Sequence, residues 1–130
     1  MAVTLDEQSR AIIDATNFAT LATLNPDGSP QTSVVWVGRD GDDLLFSTLV
    51  GRRKEKNLRR DPRVSVSILD SANPYAYLEV RGTVTLTEDG GRELINALAR
   101  KYTGQDYAAD GPDDVRVVIR LTPQKVFSRG

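Results

Sequence analysis

Apolar and polar residues alternate with a period of two through much of the chain, the pattern of strands that bury one face. The clearest stretches are Phe18–Leu24, Asp43–Thr48, Val64–Leu69 and Val115–Leu121. Between the first of these and a returning strand at Gln31–Val37 stands Asn25-Pro26-Asp27-Gly28. Pro presets φ and Gly accepts a positive φ, so the spacing predicts a hairpin. A second turn at Arg39–Asp42 leads into the strand from Asp43. The longer run Tyr75–Thr87 is interrupted by Gly82, which predicts a bend or bulge. Lys125–Ser128 reads as a last strand, and Pro123 is expected to break it from the one before.

Three segments depart from this period. The first is a helix ending near Thr16, with Thr4 as N-cap and Glu7 as its capping-box partner. Arg52–Arg63, filled with Lys, Arg and Glu and stopped by Asp61-Pro62, predicts a short helix. A third helix spans Glu88–Tyr102, capped by Thr87, with Leu94, Ile95 and Leu98 on one face and Gly104 as its stop. No βα unit repeats. The prediction is one α+β domain over residues 1–130, predominantly antiparallel, whose six or more short strands close into a small barrel to protect their edges.

Composition narrows the chemistry. The 130 residues include no cysteine and no histidine. That excludes a thiolate nucleophile, an imidazole base, a zinc-finger set and a disulfide framework, so no metal site is expected and a catalyst built this way must borrow its reactive group. No apolar run approaches the roughly 18 residues of a membrane span, and the N-terminus lacks a leader pattern, so a soluble cytoplasmic protein is expected, with no membrane partner. A cofactor-sized cavity would take a large share of a 14.3 kDa domain, which favours dimerisation.

Charge is distributed unevenly although the net is -1. Residues 1–51 carry 2 basic and 7 acidic groups, residues 52–63 carry 7 and 2, and the remainder 8 and 9. This concentration reads as a local anion site at Phe46-Ser47-Thr48-Leu49-Val50-Gly51-Arg52-Arg53-Lys54, where two hydroxyls end a strand, a Gly permits a sharp path and a helix begins. Arg52 offers a fork for phosphate oxygens and Lys54 a mobile point charge. Helical phase places Arg52, Lys56, Arg59 and Arg63 in one stripe, and Lys54 with Leu58 toward the core. An ammonium on that side is costly unless an anion meets it. A second candidate is the strand from Gln31, with Thr32, Val34 and Trp36 on one face and Ser33 and Val35 on the other. If it neighbours Asp43–Thr48, a planar ring can lie along the sheet with its phosphate at the helix start. Tyr75 and Tyr77, on one face of a later strand, can stack on such a ring. The aspartates at 40, 42 and 43 and at 110, 113 and 114 lie in Gly- and Pro-containing segments and read as solvated loop tips. No residue is marked as catalytic.

Phe18–Leu24 with the following Asn-Pro-Asp-Gly, Leu45–Thr48, and Arg52-x-Lys54-x-x-Asn57-Leu58-Arg59-x-Asp61-Pro62 together resemble the pyridoxamine 5′-phosphate oxidase-like, split β-barrel superfamily. Within it the chain is similar to small actinobacterial coenzyme F420-dependent oxidoreductases. The resemblance implies a six- to seven-stranded split β-barrel with flanking helices, and a homodimer with two cofactor sites at the interface. Residues Thr32, Ser33, Val34, Val35 and Trp36 would line a flavin or deazaflavin ring. Ser47, Thr48, Arg52 and Lys54 would hold its phosphate with Asn57 nearby, and Tyr75 and Tyr77 would approach from the partner subunit. Pyridoxamine-phosphate oxidases proper carry Arg and Lys on the FMN-facing strand; Gln31–Trp36 has neither. The implied activity is hydride transfer from reduced F420 to an unsaturated small molecule such as a quinone, an enone or a bilin-like compound. The four-cation stripe favours F420 with its anionic tail over FMN. An FMN flavoprotein of the same fold and a non-catalytic module binding F420 or a tetrapyrrole are the alternatives. The segment lacks the interleaved aromatics of a nucleic-acid surface, so none is expected as a partner.

Overall fold

A computed structural model describes residues 2–129. Three helices flank one seven-stranded antiparallel sheet, in the chain order α1 (Glu7–Asp14), β1 (Ala19–Leu24), β2 (Pro30–Val35), β3 (Gly38–Asp40), β4 (Asp43–Leu49), α2 (Arg53–Arg60), β5 (Arg63–Leu69), β6 (Tyr77–Thr87), α3 (Gly91–Thr103) and β7 (Arg116–Arg129). Across the sheet the order is β2-β1-β5-β6-β7-β4-β3. The expected α+β split barrel is therefore the observed architecture.

Alternation fills its interior. Leu21 of β1, Val66 and Ile68 of β5, Leu78 and Val80 of β6, Val117, Ile119 and Leu121 of β7, and Leu44 and Phe46 of β4 are almost wholly buried, joined by Ile13 of α1. At about 25 cal/mol per Å² of apolar area removed from water, such side chains each contribute roughly 1.5–3 kcal/mol toward folding. The two edge strands, β2 and β3, are consecutive in sequence and linked through Trp36 and Val37, the latter fully buried. The chain thus crosses from one edge of the sheet to the other within two residues. β2 and β4 do not pair, contrary to the neighbourhood considered from sequence; both reach one cleft because the sheet rolls.

Several local expectations hold. The hairpin turns at Gly28 with φ 85°, and Asn25 N–H donates to the Ser29 carbonyl. The register slips between Arg81 and Gly82, where a Cβ on Gly82 would lie 2.1 Å from the Thr122 carbonyl oxygen. Glycine is required there by close approach of two backbones. Others are corrected. Pro123 does not break the last strand: it opposes Gly82 at the bulge, where no ladder donor is needed, and β7 runs on to Arg129. Helix α1 is capped by Asp6, whose carboxylate accepts from Ser9 N–H at 2.8 Å, and not by Thr4. Thr87 accepts from Asp89 N–H in a turn, so α3 starts three residues later, with Gly90 as its N-cap. Strand β6 begins at Tyr77, leaving Tyr75 outside it in an exposed turn. No helix among the described residues is long and apolar enough to cross a membrane.

Candidate functional site

A cleft of about 330 Å³ opens where β2, β4, the start of α2, α3 and the loop before β7 converge. Val34, Val35, Trp36 and Phe18 form one side, Ile95, Leu98 and Tyr107 another, and Ser47, Arg52, Lys54 and Arg116 the polar end.

The polar end follows from how α2 begins. Gly51, at φ 95°, turns the chain sharply out of β4, a conformation that favours glycine. Its N–H donates to Glu55 Oε1 at 2.9 Å, while Glu55 Oε2 accepts from Arg59 Nε at 2.5 Å. These contacts hold the Glu55 carboxyl below its ordinary range, the Gly51 amide contributing most. Arg52 is the N-cap and supplies no side-chain acceptor, so the first-turn amides of α2 keep their positive end open. Leu58, one turn on from Lys54, anchors the helix in the core. Lys54 is half-buried beside that opening with no hydrogen bond or ion pair among the described residues. Burial first, then the neighbouring charges of Arg52 and Arg116, pushes its pKa below the usual lysine value. A cation repelled on two sides and dried on others is poised for an anion.

The apolar end is aromatic. The Trp36 ring stacks on Tyr102 at 5.4 Å and 8°, and meets Tyr107 edge-on at 6.1 Å and 86°. Phe18 packs on the other part of Tyr102 at 5.5 Å. Tyr102 is held by both ends of its hydroxyl, which donates to the Asn17 carbonyl and accepts from Val37 N–H. Burial raises its pKa, so it remains a neutral donor. Such a cleft suits a flat ring joined to an anionic group.

Of the residues singled out from sequence, Val34, Val35, Trp36, Ser47, Arg52 and Lys54 line the cleft. Strand alternation separates the others. Thr48 points inward from β4, 1% exposed, its hydroxyl oxygen without a partner, because its neighbour Ser47 takes the cleft side. Ser33 is half-buried, with an unpartnered hydroxyl, and Thr32 is exposed. Val34 and Val35 both reach the cleft because the strand ends there. Asn57 is fully buried and donates to Thr23 Oγ1 and Asn25 Oδ1, tying α2 to the β1 hairpin. Tyr75 and Tyr77 lie away from the cleft of their own chain: Tyr75 is 84% exposed and Tyr77 packs on Phe127. The cation stripe is shorter than expected, since Arg59 pairs with Glu55 and Arg63, which opens β5, pairs with Asp61.

Sequence reasoning missed Phe18, Ile95, Leu98, Tyr107 and Arg116. Ile95 and Leu98 were legible as a helix face, though not as a wall of this cleft. Arg116 gave no signal beyond a polar residue at a strand start. It is 8% exposed, and its side chain pairs with Asp110 through two bonds of 2.7 Å and reaches Ser47 Oγ at 3.4 Å. Asp110 is therefore no solvated loop tip. Asp42 accepts from Leu5 N–H and Arg10, and Asp40 and Asp43 both take Arg120, whereas Asp113 and Asp114 are exposed in the loop as expected.

A rolled antiparallel sheet with a cationic helix start beside an aromatic cleft is the architecture of the split β-barrel class. The family described as pyridoxamine 5′-phosphate oxidase matches residues 5–130, and the chain belongs to that family. It is similar to an F420 reductase of known structure, with 32% identity over 95% of this chain and 98% of that one, and a TM-score of 0.83. A conserved hypothetical protein of Mycobacterium tuberculosis shares the fold at 24% identity, over 98% of this chain and 86% of the other, with a TM-score of 0.81. General stress protein 26 of Bacillus anthracis does so at 18% identity, over 92% and 88%, with a TM-score of 0.70.

Proposed function

We propose that the protein is an F420-dependent oxidoreductase that reduces an unsaturated small molecule. The observation that carries this reading is Lys54: a half-buried ammonium with no partner among the described residues, beside a helix start without a side-chain cap, at one end of an aromatic cleft. Its likeness to an F420 reductase at 32% identity supports the choice of cofactor. When bound, reduced F420 supplies a hydride, chemistry that calls for no histidine or cysteine from the protein. Lys54, Arg52, Ser47 and the α2 amides would hold its phosphate. Trp36, Val34 and Val35 would fix the plane of its ring, and Phe18, Ile95 and Leu98 would keep water from that face.

Phe18 and Val34 remain 58% and 69% exposed at the mouth of the cleft, and Leu69 and Phe127 are about half exposed elsewhere on the sheet. Exposed apolar side chains of this size support a homodimer, in which Tyr75 and Tyr77 of one protomer approach the cleft of its partner. Sedimentation analysis tests the dimer.

FMN is the second reading, favoured by the neutralisation of Arg59 and Arg63, which leaves fewer cations for a long anionic tail. Fluorescence titration of the purified protein with F420 and FMN side by side decides between them. Tight F420 binding with hydride transfer to menadione or cyclohexenone supports the proposal. Preference for FMN overturns it, and tight F420 binding without turnover over a broad acceptor panel favours a carrier.

A further inference from the structure

The loop 104–115, between α3 and β7, has no regular structure, and nearly all its side chains face solvent. Two do not. Tyr107 lines the cleft and Asp110, three residues on, has a side chain only 4% exposed. The Asp110 carboxylate takes the Arg116 guanidinium at both oxygens, each at 2.7 Å, and Arg92 of α3 at 3.2 Å. The Arg116 bonds are the main reason its carboxyl stays below the ordinary aspartate range. The guanidinium so fixed lies over the Tyr107 ring at 4.8 Å, and the Tyr107 amide donates to Asn96 Oδ1 at 3.0 Å. Tyr107 in turn stands edge-on to Trp36.

A buried ion pair adds little net stability over apolar packing, so its use here must be sought in orientation. A forked guanidinium held at two oxygens has a defined plane, and an aromatic ring packs on that plane in one arrangement. We propose that Asp110 is a positioning residue for the cleft: through Arg116 and Arg92 it holds the loop so that Tyr107 forms the wall facing Trp36, and Tyr107 sets how wide a ring the cleft admits. The role in ring binding rests on the reading that a planar cofactor lies beside Trp36; the wall itself does not.

Trp36 is the single tryptophan of the chain, so its emission reports the wall directly. In ligand-free protein, Asp110→Asn and Tyr107→Ala are expected to shift Trp36 emission to the red and increase its quenching by acrylamide, with Tyr107→Phe matching the parent. If Asp110→Asn does not fold, the paired variant Asp110→Asn/Arg116→Gln, which leaves no lone buried charge, carries the same expectation. In titrations, Tyr107→Ala should bind F420 roughly five- to tenfold more weakly, the scale of one lost aromatic contact. The rise in melting temperature caused by inorganic phosphate should persist in Tyr107→Ala, because Lys54, Arg116 and α2 are untouched. Parent-like quenching in folded Tyr107→Ala, or in the folded charge variants, overturns the inference. Failure of the parent to bind either F420 or FMN would overturn the proposed function and leave the quenching result standing.

Discussion

Two half-buried lysines, Lys54 and Lys101, share a lowered pKa whose first cause is burial, yet they do opposite things. Lys101 Nζ donates to the carbonyls of Ile13 at 2.6 Å and Val37 at 2.7 Å and lies 5.0 Å from the centre of the Tyr102 ring. It joins α3 to the end of α1 and to the link between the two edge strands. Lys54 is buried to a similar degree but lies beside Arg52 and Arg116 and has no acceptor among the described residues. Burial alone therefore says nothing about function; the missing acceptor does, because a charged group is kept dry and unpaired only where something else completes it. One lysine completes the fold, and the other is the residue to which the proposed function assigns an anion.

The comparison breaks most readily at Lys101. Lys101→Met should destabilise the protein by roughly 2–4 kcal/mol, as two buried carbonyls lose their donor. Urea unfolding measures it, and a loss near zero would make the two lysines alike. Lys54→Ala should do the reverse. Its melting temperature should equal or exceed the parent's, whereas F420 affinity should fall about 10- to 100-fold, the worth of a charge-assisted contact to phosphate. Unchanged affinity in fluorescence titration would remove the basis of the proposed function.

A smaller effect follows from pH. Because the folded pKa of Lys54 lies below its unfolded value, its charge costs stability while it stays protonated, and the cost is relieved as pH rises through the lowered folded value. Bound anion offsets that cost. The thermal shift given by inorganic phosphate should therefore be largest near neutral pH and fade as pH rises toward the ordinary lysine value, with no such fade in Lys54→Ala. The smallest effect belongs to a cation that already has its partner. Arg63→Ala should alter F420 affinity less than about twofold, since Arg63 is exposed to solvent and already paired with Asp61. Asp61, held at about 2 mainly by the Arg63 side chain, should titrate in NMR nearer the ordinary value in that variant. In the parent, the contribution of Asp61 to stability is present above its ordinary value and lost as pH falls through about 2.

What could be read along the chain shared a physical trait: it was local. The Asn25–Gly28 hairpin, the slip at Gly82, the basic helix and the inward phase of Lys54 each follow from residues within a turn or two of one another. Two nearby acceptors can still compete: Asp6, and not Thr4, accepts from Ser9 N–H, three residues on. Asn57, which the family resemblance placed near the phosphate, is turned by helical phase toward the hairpin instead.

By itself the sequence determined the strand and helix pattern, the antiparallel class, the place where positive charge gathers and the absence of an imidazole base or a thiol. Only the tertiary structure decided which of those charges are free. Arg59, Arg63 and Arg116 are matched by carboxylates, two of them nearby in the chain and one, Asp110, buried in a loop that composition marks as solvent-exposed. Pairing depends on distances set by the roll of the sheet and the docking of α3, which bring Ser47 within reach of Arg116, 69 positions along the chain. Period and propensity carry no information at that range.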